Sequence, residues 1–141
     1  MQIHSGQFEY MVSQTPPGLL GQFLIISLMT LLLMNSDFPV SILYVWNVCG
    51  VFLLAYRYLH YRRFYQDKNR KDSKQAQKWV RRYSADVLLM GILWAILFVQ
   101  IIQLTPQEYH YIAMAVALGL AGAAIVTMGS VFPVYFAFIF P

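Results

Sequence analysis

Four long apolar runs, separated by short polar segments, set the pattern of the chain. They cover about residues 19–34, 40–59, 85–104 and 109–127, and a further apolar run extends over 131–141. A helix that crosses about 30 Å of hydrocarbon needs about 20 largely apolar residues, which the first four runs approach or reach and the last does not. The pattern predicts an all-α, multi-pass transmembrane helical bundle with four spans and the start of a fifth.

The polar segments predict how these spans are connected. Residues 35–39 (NSDFP) and 105–108 (TPQE) are short and rich in turn-forming residues, so each joins its two flanking spans into an antiparallel hairpin. Residues 1–18 are more polar and end on Pro16-Pro17-Gly18, which predicts a tail outside the membrane. The expected division is a cytoplasmic tail over 1–18 and a single transmembrane domain over 19–141. We expect the chain to be a fragment in which the fifth span is cut short.

The charges are confined to one segment. All ten Lys and Arg residues lie between Arg57 and Arg82, and this segment carries a formal charge of +8, whereas the rest of the chain carries −4. Lys and Arg beside membrane spans are retained in the cytoplasm, so we expect residues 60–84 and the N-terminus to be cytoplasmic and both short turns to be external. We expect this segment to form a helical hairpin with residues 66–73 as its tip. Five arginines are expected to contact anionic lipid headgroups at the cytoplasmic face: Arg57, Arg62, Arg63, Arg81 and Arg82.

Composition narrows the function classes. The chain is 59% hydrophobic and 11% charged, whereas soluble domains are about one quarter charged. The basic segment is explained by topology, so we expect no nucleic-acid partner. The lone Cys49 excludes a disulfide framework, and His4 and His60 fall on the opposite side of the membrane from His110. We therefore expect no metal site and no cofactor.

Candidate chemistry is limited to a few polar residues in the spans. The sequence contains no nucleophile–base pair, phosphate-binding loop or carboxylate pair, and catalysis is not expected. Asp86 is an acid inside a predicted span, which suggests function, but nearby Arg81 and Arg82 favour a local ion pair or a solvated helix start. Asn47, Gln100 and Gln103 are candidates for hydrogen bonds between helices or for lining a ligand cavity, with packing favoured. Together with Asp86 they are also the candidates for lining a transport path.

The fourth span differs from the others because it is rich in Gly and Ala. Ala115, Gly119 and Ala123 recur at every fourth position on one face, and Gly122 lies beside them. Small residues at this spacing allow helix backbones to approach closely. The pattern predicts that this span packs at the centre of the bundle.

Several segments together resemble the membrane-embedded N-terminal input regions of bacterial signalling proteins, the MASE-like sensors. These are residues 79–82 (WVRR), 91–94 (GILW), the Gly/Ala-rich segment 118–124 (LGLAGAA) and the Pro-bounded aromatic segment 132–141 (FPVYFAFIFP). In that family, further helices and a linker lead to a cytoplasmic GGDEF or histidine-kinase domain. None of the output motifs occurs in this chain, so the resemblance carries over no enzymatic activity.

The resemblance implies a sensory module of a bacterial signal-transduction protein, located in the inner membrane and dimeric through its full-length form. A stimulus in the bilayer would shift helix packing and bias a two-state dimer. Two alternatives remain open at this point, namely a small membrane transporter and a structural subunit without a ligand.

Overall fold

The computed structural model describes residues 5–69 and 72–128, and within this part of the chain all regular structure is helical. The helices are α1 (Ser5–Ser13), α2 (Thr15–Met34), α3 (Val40–Gln66), α4 (Ser73–Leu104) and α5 (Gln107–Met128). In the described part of the chain, four segments are long and apolar enough to cross a membrane: Gly6–Met34, Val40–Gln66, Lys74–Leu104 and Gln107–Ile125. The prediction of an all-α multi-pass bundle is therefore confirmed. The expected start of a fifth span over 131–141 lies outside the described residues.

The break between α1 and α2 is caused by two prolines. Pro16 and Pro17 occupy the first turn of α2, where a missing N–H does not interrupt that helix but cannot continue the preceding one. Although residues 1–18 were expected to form a polar tail, Phe8, Met11 and Val12 of α1 are buried in the core. The apolar side chains of α1 thus hold it against the bundle.

The two short turns end their helices as the sequence pattern indicates. After α2, the Ser36 hydroxyl donates to the Leu33 carbonyl (2.7 Å) and accepts from the Phe38 N–H (3.2 Å), and Pro39 immediately precedes α3. After α4, His110 Nε2 lies 3.0 Å from the Thr105 carbonyl oxygen, which ties the start of α5 to the end of α4. These local bonds satisfy groups that helix ends otherwise leave unpaired.

Helices α3 and α4 continue past their apolar portions into the basic segment. They contain 27 and 32 residues, which corresponds to about 40 and 48 Å at 1.5 Å per residue, longer than a hydrocarbon core of about 30 Å. Near their connection, the Asp67 carboxylate accepts hydrogen bonds from Gln75 Nε2 (2.9 Å) and Trp79 Nε1 (2.8 Å). We call the α3–α4 projection the basic hairpin, the adjacent end of the bundle the basic end, and the opposite end the turn end.

Helix α3 lies between two other helices of the bundle. It packs against α2 on one side and α4 on the other, whereas α5 packs chiefly on α4. The buried positions of α3 recur every three or four residues, as expected for one continuous helix face: Leu43, Trp46, Gly50, Leu54, Arg57, His60 and Phe64. In the turn half this face is apolar, and the Trp46 and Trp94 rings meet edge to face with centroids 5.1 Å apart.

Candidate functional site

Polar side chains from three helices meet inside the basic end of the bundle. Burying such groups is costly unless they are hydrogen-bonded to one another. All five buried residues with polar or charged side chains in the described part of the chain belong to this group, and the largely apolar Tyr83 ring joins them through its hydroxyl. We call the group the polar layer: Thr15, Gln22, Arg57, His60, Tyr83 and Asp86.

The polar layer arises because polar residues take buried positions on otherwise apolar helix faces. On α3, Arg57 and His60 stand where an apolar residue is expected, between Leu54 and Phe64 on the same buried face. Helical periodicity turns side chains at three- and four-residue spacing toward the same neighbours. The fold therefore brings Arg57 and His60 of α3 into the interior.

One contact of the layer joins α3 to α4. His60 Nδ1 and Asp86 Oδ2 form a hydrogen bond that becomes an ion pair when the histidine is protonated. Asp86 is only 3% exposed. This corrects the expectation of a local ion pair with Arg81 or Arg82 or a solvated helix start, because both arginines are exposed and Asp86 faces α3. The Arg82 guanidinium instead lies over the Trp79 ring, 5.3 Å from its centroid.

A second contact joins α2 to α3 through a buried arginine. Arg57 is 4% exposed, and its Nη1 donates to Gln22 Oε1 over 2.9 Å. Its guanidinium carbon lies 5.7 Å from the centroid of the Tyr83 ring, a cation–π distance. Arg57 Nε is buried and has no hydrogen-bond partner among the described residues.

Arg57 therefore differs from the other arginines that were predicted to contact headgroups. Arg62, Arg63, Arg81 and Arg82 are exposed on the basic hairpin. Arg57 lies on the α3 face that α2 and α4 cover, so its side chain enters the bundle instead of the headgroup layer.

The third contact of the layer lies next to α1. The Thr15 and Tyr83 hydroxyls form a hydrogen bond between α2 and α4. The Phe8 ring packs edge-on against Tyr83 and Phe64, with centroids 6.1 and 5.5 Å away. Helix α1 thus covers the layer from the side of the basic hairpin.

A cavity of about 270 Å³ adjoins the polar layer and is partly open to the outside. Its lining comes from every helix and is mainly apolar, with Gly18 and Gly21 on the α2 side and Leu120 on the α5 side. Arg57 is the one charged residue among the described residues that line it. The volume is near the lower limit of small-molecule pockets, which are lined mostly by apolar groups with a few oriented polar ones.

The other predicted polar residues lie apart from the layer. Asn47 accepts a hydrogen bond from the Thr30 hydroxyl (2.9 Å) and donates to the Leu43 carbonyl (2.9 Å), so it joins α2 to α3 in the turn half. Gln100 lines a separate apolar cavity of about 400 Å³ between α3 and α4. Gln103 is exposed. The structure does not bring these residues and Asp86 together at one site.

The small-residue face of α5 does not lie at the centre of the described bundle. Ala115, Gly119, Gly122 and Ala123 are all exposed. A Cβ built on Gly119 or Gly122 would meet no atom within 4 Å. The buried residues of α5 are Ala113, Leu120 and Ala124, which lie on another face. Among the described helices α5 packs chiefly on α4 and is not central, and the packing of its small-residue face against another helix stays a prediction.

Four members of the polar layer were not predicted from the sequence to lie at an interior site: Thr15, Gln22, Arg57 and Tyr83. It also placed His60 at the cytoplasmic side without a partner. A signal was present, since Arg57 and His60 continue the three- and four-residue spacing of Gly50 and Leu54. Their charge and their neighbouring aromatic residues instead indicated the headgroup layer.

Comparisons with models of known protein families, with curated proteins and with solved structures give no significant match.

Proposed function

We propose that the chain is an integral-membrane sensory module of a bacterial signal-transduction protein. The observation that supports this most directly is the continuity of α3 and α4. Each helix carries members of the buried polar layer and then runs without interruption into the basic hairpin. A change in packing at the layer would therefore move the hairpin, because a helix transmits displacement along its length.

The layer has the properties of a switchable element. Its contacts are specific polar pairs between helices, and a pair that loses one member leaves the other buried and uncompensated. Two arrangements of such pairs differ by discrete contacts. A stimulus that favours one arrangement therefore increases its population at the expense of the other. Within this proposal the stimulus acts in the bilayer and the response leaves through the basic hairpin and the later helices.

The output would be supplied by a cytoplasmic domain such as a GGDEF or histidine-kinase domain, in a homodimer of the full-length protein. Reading the coding frame past residue 141 tests this part. A frame that encodes a further helix, a linker and such a domain supports the proposal. A frame that continues into an unrelated soluble enzyme or ends without an output domain contradicts it.

The proposed location is the inner membrane, with the N-terminus and the basic hairpin in the cytoplasm and near anionic lipid. The confinement of all Lys and Arg residues to one segment supports this orientation. A topology reporter at Asn69 should report the cytoplasm and one at Glu108 the external side. The reverse result would overturn the orientation and the placement of the polar layer with it.

Transmission from the layer to the hairpin can be measured directly. Spin labels at exposed Arg62 and Lys78, in a Cys49→Ser background, would report the separation of α3 and α4 in the basic hairpin of the reconstituted protein. Asp86→Asn perturbs the contact with His60 and should shift or broaden the distance distribution.

A matched control is Asn47→Ala, which breaks an interhelical polar contact in the turn half. This variant should leave the hairpin distances unchanged. If folded Asp86→Asn protein gave the wild-type distribution, the coupling on which the proposed function rests would be refuted.

A further inference from the structure

The cavity beside the polar layer combines an apolar interior with one buried positive charge. An arginine is always ionised, and a buried ion is strongly unfavourable unless other groups compensate it. Among the described residues, Arg57 makes one hydrogen bond, to the neutral amide of Gln22, and a ring contact with Tyr83. Its Nε–H has no acceptor among the described residues. The donor capacity of this guanidinium exceeds what the neighbouring side chains use.

The nearby acid does not remove this excess by direct contact. Asp86 is close enough to attract Arg57 electrostatically, but its carboxylate is hydrogen-bonded to His60. None of the described lining residues of the cavity is acidic. An anion in the cavity would therefore meet Arg57 without a competing carboxylate in the lining.

The rest of the lining restricts the chemistry of the occupant. Gln14, Thr15 and Tyr83 bring polar groups to the lining, whereas Met11, Ile25 and Leu120 supply apolar surface. A guanidinium binds carboxylate and phosphate oxygens with two parallel hydrogen bonds. The apolar remainder suits hydrocarbon and not a hydrated inorganic ion.

The depth of Arg57 fits an amphiphile that lies in the membrane. Arg57 is 17 positions after Val40, the first residue of α3, which corresponds to about 26 Å along a helix axis. A hydrocarbon core is about 30 Å thick, so Arg57 is near the boundary at which lipid headgroups begin. An acyl chain extending from this level would remain in hydrocarbon.

We propose that this cavity binds the anionic head of an amphiphile, a carboxylate or phosphate on an acyl chain, with Arg57 as its anchor. This inference rests on the proposed function in that it names the ligand class of the sensor. The two sources of such a head are a free fatty acid and an anionic membrane phospholipid.

The test measures equilibrium binding of labelled dodecanoate to the full chain in phosphatidylcholine nanodiscs, with dodecanol as the uncharged competitor. Excess unlabelled dodecanoate should displace the label and dodecanol should not. Arg57→Gln should weaken binding at least tenfold, whereas Arg62→Gln, at an exposed arginine, should leave it unchanged. Equal competition by dodecanol, or undiminished binding by folded Arg57→Gln protein, would overturn the proposal.

A second variant guards against misfolding of the first. Gly21 lines the cavity, and a Cβ there would meet no atom within 4 Å, so Gly21→Leu would place a side chain in the cavity without a clash at its Cβ. It should also weaken binding at least tenfold, although Arg57 is retained. Gly119→Leu adds the same side chain outside the cavity and should not. Equal affinities of the two leucine variants would place the binding elsewhere and refute the inference.

Phosphatidylglycerol in the nanodisc distinguishes the sources. If phosphatidylglycerol displaces labelled dodecanoate and the displacement requires Arg57, the site binds a membrane phospholipid. If dodecanoate stays bound in the presence of phosphatidylglycerol, the site binds a free carboxylate. Failure of this inference is separable from failure of the proposed function. Absence of Arg57-dependent binding with a normal hairpin response to Asp86→Asn overturns the ligand assignment alone. Arg57-dependent binding without any hairpin response overturns the sensor proposal alone.

Discussion

Helices α3 and α5 both contain glycines, but only the glycine of α3 is closely packed against neighbouring helices. The small residue of α3 that is buried is Gly50, and this helix lies between α2 and α4. A Cβ at Gly50 would lie 3.3 Å from Ile26 Cδ1 and 3.7 Å from Leu93 Cδ2, so both neighbours approach this point closely. Helix α5 contains Gly119 and Gly122, yet a Cβ on either would meet open space.

The difference shows that small residues permit close approach but do not cause it. Close packing at a small residue also requires neighbours whose side chains fill the space beside it, as those of Ile26 and Leu93 do at Gly50. Helix α3 also carries Arg57, which donates to Gln22 on α2, and His60, which is hydrogen-bonded to Asp86 on α4. The location of α3 is therefore supported by packing at Gly50 and by polar contacts at the basic end.

The strongest way to disturb α3 is to remove its polar partner on α4. Asp86→Ala leaves His60 buried without its carboxylate and removes an acid that attracts Arg57 electrostatically. Loss of one member of such a buried pair costs about 3–5 kcal/mol. Unfolding in mixed micelles should show a decrease of this size. Glu108→Ala, at an exposed acid, is the matched control and should change stability little. A small effect for Asp86→Ala would mean that packing alone places α3.

Replacing both His60 and Asp86 distinguishes the cost of an unpaired buried group from the cost of changed packing. The double variant His60→Leu, Asp86→Leu removes both members of this contact, so that neither is left buried without the other. Arg57 keeps its contacts with Gln22 and Tyr83. Replacing both members of a buried pair by apolar residues is often neutral or stabilising. We expect a loss of at most about 1 kcal/mol, smaller than that of Asp86→Ala. Thermal unfolding of the two variants side by side measures this. A double variant as unstable as the single one would contradict the account.

Leucine substitutions test the contrast between the two helices directly. Gly50→Leu should cost about 1–3 kcal/mol, because the added side chain overpacks the space that Ile26 and Leu93 occupy. Gly119→Leu should change stability by no more than about 0.5 kcal/mol, as for an exposed site. The same unfolding assay measures both. Similar losses for the two variants would contradict the distinction between the packed Gly50 and the open Gly119.

The smallest expected change concerns the turn half of α3. Thr30→Val removes the hydrogen bond to Asn47 and should cost about 0.6 kcal/mol, the average for polar contacts between membrane helices. Ser27→Ala serves as a control, because the Ser27 hydroxyl bonds only within its own helix, to the Phe23 carbonyl. A loss for Thr30→Val above about 2 kcal/mol would show that this contact matters as much as the polar layer.

Much of the architecture follows from local sequence. Apolar runs of spanning length, the turn-forming segments before Pro39 and around Pro106, and the basic segment were enough to predict an all-α bundle and a helical hairpin. These features depend on residues close together in the chain. Helix α1 was harder to predict, because its apolar side chains Phe8, Met11 and Val12 are interspersed with polar residues and need the bundle to bury them.

The polar layer and the order of the helices required tertiary structure. Arg57 and Arg62 are the same residue type in one helix, and the direction of each side chain relative to α2 and α4 decides which is buried. Asp86 is close in sequence to Arg81 and Arg82, but the packing of α3 against α4 places His60 beside it instead. Periodicity identifies a helix face but not its neighbour, because that choice depends on how all faces pack together. The amino-acid pattern thus specifies the spans, and the packing of α3 between α2 and α4 specifies the site.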